Sequence, residues 1–280
     1  MKNQMAQAGF LLLALNLNAQ YYYKDILVTR ETTERWKAFR QNKVKAVKLT
    51  SFEDNGQVTE GFACTQSVTK DFSEIDTYTL APSSVPSHLF AFYDQHGFLV
   101  KTVDTSDTYQ STTDYEYLAD GRIQAITNVS LQTDNQVRNT ERHIWTYNGN
   151  GKPISMLKIS NLTDSTMVKF VSDEQGNIVE EHPVRNGQAL PVIYYYYDNR
   201  NQLTDIVRYN AKARKLLPDY IFESDGQGNL SSMLYVPEGS TNYQKWLYQY
   251  NEHGLKTQDT CYDKQNELVG KIRYEYEYYK

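Results

Sequence analysis

The sequence predicts an all-β protein, an antiparallel meander of repeated β-hairpins preceded by a short N-terminal helix. Tyrosine dominates the aromatic residues, with 24 Tyr beside 10 Phe and 3 Trp, and aromatic side chains favour strands over helices. A motif of the form Tyr-Asp-x-x-Gly-x-Leu recurs along the chain, with further turn-forming residues between its copies. This regular alternation of aromatic runs and turns is typical of successive hairpins.

The motif contains the residues that a tight hairpin turn requires. Gly adopts positive φ readily and Asn tolerates it, while an Asp at the start of the turn accepts a backbone N–H two residues on. Gly97, Gly121 and Gly151 are 24 and 30 residues apart. With one further turn inside each interval, we expect about fourteen to sixteen strands. Copies of the motif begin at Phe52, Tyr93, Tyr117, Tyr147, Ser172, Tyr197, Ser224, Tyr250 and Tyr262.

The first residues indicate export. Residues 1–19 contain one basic residue, Lys2, and an apolar run from Ala8 to Leu15, which is the pattern of a signal peptide. The run is too short to cross a bilayer, and a buried N-terminal helix is the alternative interpretation. We therefore expect an exported protein without a transmembrane segment after signal removal, located in the periplasm, at the cell surface or outside the cell.

The rest of the chain divides near Pro86. Residues 20–86 form an N-terminal segment, in which Thr29 to Gln41 suits a short amphipathic helix and Val44 to Phe52 suits a strand. Residues 87–280 form the hairpin repeat array. The sequence thus predicts two unequal parts after the signal peptide.

Charge and cysteine content limit the partners and the covalent links. The formal net charge is −5 at pH 7, and the sequence shows no basic patch of the kind that binds nucleic acid. We therefore expect a protein or polysaccharide ligand. Cys64 and Cys261 lie near opposite ends of the chain; export permits a disulfide between them, and two separate buried thiols are the alternative.

The sequence shows no motif of a common enzyme class. It contains no Gly-x-Ser-x-Gly elbow, phosphate-binding loop or dinucleotide fingerprint. Glu180, Glu181 and His182 form a local cluster of acids and histidine, but without the spacing of a metal site. We expect no enzymatic activity, no cofactor and no metal, with the dispersed carboxylates of a glycoside hydrolase as a remote alternative.

The aromatic residues are the candidate binding residues. The run from Tyr194 to Tyr197 places rings on both faces of one strand, and exposed rings stack on sugars or anchor protein contacts. Rings that pair across strands and stabilise the sheet are the other interpretation. We expect a binding or scaffold module, with a carbohydrate-binding module as the alternative. The candidate ligand-binding residues are Tyr194, Tyr195, Tyr196, Tyr197, Trp145 and Trp246.

The repeat resembles that of YD-repeat, or Rhs-type, proteins. The resemblance covers roughly residues 90–280 and is carried by copies such as those at Tyr93 and Tyr117. It implies a curved sheet or open solenoid of hairpins that acts as a scaffold or enclosure, and in size the chain is similar to short exported proteins of Bacteroidetes-type bacteria. A second resemblance, carried by Tyr194 to Tyr197 followed by Asp198, is to the aromatic repeats of glucan- and choline-binding modules.

Overall fold

A computed structural model shows a closed antiparallel β-barrel with a helix across one of its two ends. The structure describes residues 21–106, 109–211, 213–237 and 240–280, so the expected signal peptide, residues 1–19, lies outside the described residues. Helix α1 comprises Lys24–Gln41. The nineteen strands of the described ranges are β1 Val44–Phe52, β2 Ala63–Val68, β3 Glu74–Leu80, β4 Ser87–Tyr93, β5 Leu99–Ser106, β6 Tyr109–Tyr117, β7 Ile123–Gln132, β8 Arg138–Tyr147, β9 Pro153–Ser160, β10 Asp164–Ser172, β11 Ile178–Arg185, β12 Gln188–Ala189, β13 Ile193–Tyr197, β14 Leu203–Asn210, β15 Lys215–Ser224, β16 Leu230–Tyr235, β17 Gln244–Tyr250, β18 Lys256–Tyr262 and β19 Leu268–Tyr278.

The strands form a ring because the first strand pairs with the last. Neighbours in sequence pair antiparallel around the sheet, and β11 pairs both with the two-residue strand β12 and with β13. Strand β1 pairs with β19 from Val44 opposite Tyr278 to Phe52 opposite Lys271. All nineteen strands except β12 therefore belong to the ring, which makes eighteen. A meander closes on itself in antiparallel fashion only with such an even number.

The prediction of an open curved sheet or solenoid is therefore wrong. Hairpins and their turns follow from local sequence, and β1 has its expected bounds. The pairing of β1 with β19 joins residues at opposite ends of the chain, and no local pattern indicates it. Closure also removes the two exposed strand edges that an open sheet would carry. Pro86 lies between β3 and β4, and the segments on either side of it contribute strands to one ring. The expected strand number is also too low.

The repeated motif forms the predicted hairpin turns. In the turn after β4, the Asp94 carboxylate accepts the backbone N–H groups of His96 and Phe98, both at 2.9 Å, and Gly97 has a φ of 84°. Asn201 takes the glycine position after β13 with a φ of 59°. The turn residues 94–97, 118–121, 148–151, 173–176, 198–201, 225–228 and 251–254 lie at one end of the barrel, called the turn end below.

At four copies of the motif, the tyrosine joins its hairpin to the hairpin before it. The Tyr117 hydroxyl donates to the Leu99 carbonyl at 2.8 Å, and the Tyr147 hydroxyl donates to the Ile123 carbonyl at 2.7 Å. Each acceptor is the first residue of the returning strand in the preceding hairpin, so the bond satisfies a backbone group and ties neighbouring hairpins together. Equivalent bonds join Tyr197 to Ile178, Tyr250 to Leu230, and Tyr276 of β19 to Lys256.

The turn glycines also leave room for a neighbouring side chain. A Cβ atom on Gly121 would lie 2.6 Å from the Phe98 ring, which extends over this turn from the preceding hairpin. A Cβ atom on Gly97 would lie 2.3 Å from the Trp36 ring of α1. The glycine therefore serves both the backbone conformation of its own turn and the packing of the next element. Arg122 over Gly151, Lys152 over Gly176 and Gln202 over Gly228 repeat this arrangement.

Helix α1 lies across the turn end and packs its buried face against inward side chains of the strands. Residues 21–23 and the first half of the helix pack into one apolar cluster with strands that include β8, β10 and β13. Trp36 and Phe39 pack into a second cluster with strands that include β1, β4 and β19. The Trp36 indole N–H donates to the Phe72 carbonyl at 2.6 Å. The helix begins five residues before the expected Thr29, at Lys24. Among the described residues, no helix has both the length and the apolar character needed to cross a membrane.

We expect Gly97→Ala to destabilise the protein more than Gly254→Ala. Both turns require positive φ, and an alanine there costs about 1–2 kcal/mol. Only Gly97 faces a buried ring, since nothing lies within 4 Å of a Cβ on Gly254, and overpacking adds about 1–3 kcal/mol. Urea denaturation of both variants measures the difference. Equal free energies of unfolding would contradict the packing of Trp36 on this turn.

Candidate ligand-binding site at the turn end

Four of the six candidate aromatic residues face the barrel interior. Tyr195, Trp145 and Trp246 are only 2%, 4% and 5% exposed. Tyr197 is half-buried, and its hydroxyl is bonded inside the wall. Burial leaves no ring face of Tyr195, Trp145 or Trp246 for a ligand outside the barrel. These rings instead form part of the core, as the cross-strand interpretation of the aromatic residues expects.

The other two candidates face outward. Tyr196 is 47% exposed and Tyr194 is half-buried on the same strand, β13. Tyr209 on the neighbouring strand is 53% exposed. Because Tyr194 pairs with Val207, Tyr209 lies diagonally next to Tyr194 on the outer face. These residues, Tyr194, Tyr196 and Tyr209, are called the outer tyrosines below.

The two cysteines are buried and free. Cys64 lies on β2 and Cys261 lies on β18, with β1 and β19 between these strands. Three strand spacings amount to roughly 14 Å, which is beyond the reach of a disulfide. The two-thiol interpretation therefore describes the structure. Burial raises the pKa of the Cys64 thiol to about 11 and that of Cys261 to about 12.

We expect both thiols to react slowly with a disulfide reagent at pH 8 and fully after denaturation. Burial blocks access and the raised pKa values keep the thiols protonated, whereas the reagent needs the thiolate. Counting released thiolate before and after adding guanidinium chloride checks this. A denatured, unreduced protein that releases none would show that the cysteines are bridged.

The local cluster of Glu180, Glu181 and His182 divides between the two faces of the wall. His182 and Glu180 face outward, with Nε2 and Oε2 2.6 Å apart. Glu181 faces inward and is fully buried. Its carboxylate accepts the backbone N–H groups of Tyr22 at 2.9 Å and Tyr23 at 3.1 Å. Burial raises the pKa of Glu181 to about 7, against the lowering effect of these hydrogen bonds. Glu181 therefore fixes the segment that leads into α1.

A charged cluster in the interior joins α1 to strands β8 and β9. His143 Nδ1 lies 2.6 Å from Asp25 Oδ2, and His143 Nε2 lies 3.0 Å from Glu141 Oε1. Lys158 Nζ lies 2.5 Å from the other oxygen of Glu141. The Asp25 and His143 side chains are each 9% exposed. These four residues are called the interior charge cluster below.

The interior charge cluster holds His143 in its protonated form. Burial acts to lower the pKa of His143, but the Asp25 and Glu141 carboxylates outweigh burial and raise the pKa to about 9. Burial acts to raise the pKa of Glu141, but His143 and Lys158 lower it to about 2. Within the described ranges, no three or more His, Cys, Asp or Glu side chains are grouped so as to hold a metal ion. The cluster thus consists of matched charges between the helix and the wall.

We expect His143→Gln to remove a pH-dependent part of the stability. The folded pKa of about 9 lies above the ordinary 6.5, so the contribution of His143 is fully present below pH 6.5 and is lost as the pH rises through 9. Two and a half pKa units correspond to roughly 3 kcal/mol. Between pH 6.5 and pH 9.5, the free energy of unfolding measured by denaturation should fall by less in His143→Gln than in the wild type. The outward His182→Gln variant is the control, and an equal loss in all three proteins would contradict the prediction.

A cavity of about 360 Å³ opens at the turn end between α1 and the motif turns. This volume is within the range of pockets that hold small organic ligands, roughly 300–1,000 Å³. One side is the helix, with Ile26 and Thr33 among its residues, and the other side includes the turn glycines 121, 151 and 176. The cavity is called the mouth cavity below. Sequence analysis alone does not indicate it, because the helix and turns meet only in the closed barrel.

Aromatic rings and a guanidinium line the turn side of the mouth cavity. Phe98 stacks on Tyr117 with ring centroids 5.0 Å apart and planes at 27°. Arg122 places its guanidinium carbon 4.5 Å from the centroid of Tyr147 and donates from Nε to the Asp120 carboxylate at 2.8 Å. Burial raises the pKa of Tyr147 to about 12, so its hydroxyl stays protonated and keeps its bond to the wall. The turn side therefore holds its aromatic rings and its guanidinium in fixed positions.

Charged side chains line the helix side of the mouth cavity. Arg30, Glu34 and Lys37 are exposed and lie on one face of α1, because residues three and four apart are neighbours on a helix. Lys37 Nζ lies 2.8 Å from Glu34 Oε1. No carboxylate of the described residues forms an ion pair with Arg30. The sequence does carry one signal for the turn side of the cavity, because the position after the turn glycine holds the large side chains Phe98 and Arg122.

Comparison with known proteins gives no family. No family model and no curated protein matches the chain. Among solved structures, the chain is similar to a porin-like protein from Bacteroides uniformis, with 10% identity, a TM-score of 0.40, and coverage of 84% of this chain and 98% of that chain.

Two toxin structures also match in part. The chain is similar to the Photorhabdus luminescens Tc holotoxin pore, with 11% identity, a TM-score of 0.23 and coverage of 77% of this chain and 16% of that chain. It is similar to the TcdB2-TccC3-Cdc42 structure with 11% identity, a TM-score of 0.24 and coverage of 84% and 17%. The chain thus spans less than a fifth of each toxin chain. The resemblance to YD-repeat proteins rests on the motif and its turns.

Proposed function

We propose that this protein is an exported barrel that binds a saccharide in the mouth cavity. The observation that carries the proposal is the composition of the mouth cavity, in which the rings of Phe98, Tyr117 and Tyr147 face charged groups of α1. Flat aromatic faces stack on sugar rings, while charged and polar groups bind hydroxyls and fix orientation. The expectation of export rests on the signal-peptide pattern of residues 1–19 and is part of the proposal.

The outer face of strands β5 to β8 is suited to water. Charged residues face outward within the strands, with Lys101 beside Asp114 at 3.8 Å and Arg142 beside Glu116 at 3.2 Å. These side chains are between 44% and 55% exposed. A basic side chain facing lipid costs about 2–4 kcal/mol at the middle of a bilayer. This part of the wall therefore favours contact with water over contact with lipid.

The interior supports binding at the mouth rather than passage through the barrel. Barrels of sixteen to eighteen strands with an empty interior hold an aqueous channel. Here Tyr21 contacts the ring of Tyr220 on β15, and Trp36 contacts the ring of Tyr93 on β4. The helix and its preceding residues thus connect well-separated parts of the ring through side-chain contacts. A ligand would therefore meet the helix at the turn end.

The outer tyrosines define a second candidate, the carbohydrate-binding module that uses exposed rings. Tyr196 and Tyr209 are each about half-exposed, and Tyr194 lies between them on the outer face. A row of exposed rings on a flat sheet is suited to the side of a polysaccharide chain. The mouth cavity is concave and carries charged groups as well, and for this reason it is the preferred site.

We expect saccharide binding to depend on the mouth cavity and not on the outer tyrosines. Glu34→Trp adds bulk at an exposed helix position and should block the cavity without removing any wall residue, and Phe98→Ala should remove a stacking face. Each change is expected to weaken binding at least tenfold. Tyr196→Ala is the matched control and should bind as the wild type does. Calorimetric titration with cellohexaose, chitohexaose, maltohexaose and hexagalacturonate measures the affinities, and thermal melting verifies the fold of each variant.

Two results would overturn the proposed site. Binding that survives Glu34→Trp and Phe98→Ala but is lost in Tyr196→Ala would assign the ligand to the outer tyrosines. If no hexasaccharide binds, the proposal of a saccharide ligand is wrong. The absence of catalysis stays a prediction, and the same mixtures test it, because shortened hexasaccharides after incubation would indicate the hydrolase alternative.

A further inference from the structure

We infer that the saccharide bound in the mouth cavity is anionic. This inference rests on the proposed function and adds the chemical class of the ligand. The lining of the cavity contains three cations, Arg30, Lys37 and Arg122, and one carboxylate, Glu34. The whole chain has a formal net charge of −5. The cavity thus concentrates positive charge in a protein that is negative overall, and such a concave site attracts anions.

The three cations differ in their existing partners. Arg122 is held by the Asp120 carboxylate and by the face of Tyr147, so its charge is largely matched. Among the residues that the structure describes, Lys37 is paired only with Glu34, and these side chains are 55% and 64% exposed. Such a surface pair is worth little, typically 0–1 kcal/mol, and Lys37 is free to exchange its partner. Arg30 has no ion pair with any described residue. Arg30 and Lys37 are therefore the cations available to a ligand.

The positions of these groups fit a charged sugar better than a simple ion. Arg30 and Lys37 are seven residues apart on α1, which is roughly 10 Å along the helix axis. One small anion does not contact both at once, whereas successive charged units of an oligosaccharide do. The rings of Phe98 and Tyr147 line the opposite side of the cavity. A sugar between the two sides stacks its apolar face on the rings and turns its acidic groups toward the helix.

An arginine is well suited to this role. Its guanidinium binds a carboxylate or a sulfate through two parallel hydrogen bonds. The acidic groups of saccharides are carboxylates or sulfates, and both carry the charge that Arg30 and Lys37 attract. Arg30 and Lys37 thus favour an anionic ligand, and the experiment below compares carboxylate with sulfate as its acidic group.

The test compares acidic and neutral hexasaccharides on the intact protein. Calorimetric titration uses hexagalacturonate, a chondroitin sulfate hexasaccharide and cellohexaose at 50 and 300 mM NaCl. The variants are Arg30→Gln with Lys37→Gln at the cavity, and Lys45→Gln with Lys48→Gln as a matched double control on the outer wall. All four lysine and arginine positions are exposed, so the fold is expected to be kept, and thermal melting checks this.

We expect the wild type to bind at least one acidic hexasaccharide tenfold or more tightly than cellohexaose. The cavity variant should lose at least tenfold for that ligand and a smaller factor for cellohexaose, because hydrogen bonds between opposite charges are stronger than those to neutral hydroxyls. The control should match the wild type. Salt should weaken acidic binding only, because exposed charges are screened. Tighter binding of hexagalacturonate would indicate that carboxylates are sufficient, and tighter binding of the chondroitin sulfate hexasaccharide would indicate that sulfates add to the affinity.

Failure of this inference is distinct from failure of the proposed site. If cellohexaose binds as tightly as the acidic ligands and Glu34→Trp still blocks it, the mouth cavity is a saccharide site and the anionic class is wrong. Binding of an acidic hexasaccharide that is equally strong in the cavity variant would also overturn the inference. If Glu34→Trp and Phe98→Ala leave all binding unchanged, the mouth cavity itself is not the site.

Discussion

The pairing of strand β1 with strand β19 is the constraint on which the rest of the structure depends. A meander of hairpins has an unpaired strand at each end, and each of these edges presents a row of unsatisfied backbone groups. Joining the edges from Val44 opposite Tyr278 onward converts the repeat array into a ring. Closure then gives every strand two neighbours and creates an interior. The helix, its charged contacts and the mouth cavity all exist because that interior exists.

A ring of this size needs more than inward side chains to fill it. Tyrosine suits the task, since its ring fills space while its hydroxyl reaches a backbone carbonyl, as Tyr117 and Tyr147 do. Helix α1 adds the buried side chains of Trp36 and Phe39, and it brings Asp25 into a buried site where His143 matches its charge. Glu181 in turn satisfies backbone N–H groups of Tyr22 and Tyr23 that would otherwise be buried without partners. Polar groups in the interior thus hold the helix in one position.

The sequence allowed prediction of the parts of the fold that depend on near neighbours. The turns at Asp94 to Gly97 and at Asn201 follow from the φ that Gly and Asn adopt and from the hydrogen bonds of an Asp side chain. Closure, the inward direction of Trp145 and Trp246, and the lining of one cavity by both Arg30 and Phe98 depend on residues far apart in the chain. His143 illustrates the limit: its position two residues before Trp145 places both on one face, but its partner Asp25 lies on the helix. Candidate site residues chosen for their aromatic character were therefore mostly core residues.

The bond from a motif tyrosine to the preceding hairpin recurs at four joints and bears on how such barrels could vary in size. Because these joints share one donor position and one acceptor position, gain or loss of a whole hairpin by duplication or deletion would leave the remaining joints intact and change the circumference by two strands. The eighteen-residue helix is about 27 Å long. The residues just before it bond to Glu181 on β11, and Trp36 in its second half bonds to Phe72 after β2, so the two contacts lie on different parts of the ring. The fixed length of the helix therefore favours one ring size among those that the same repeat could build.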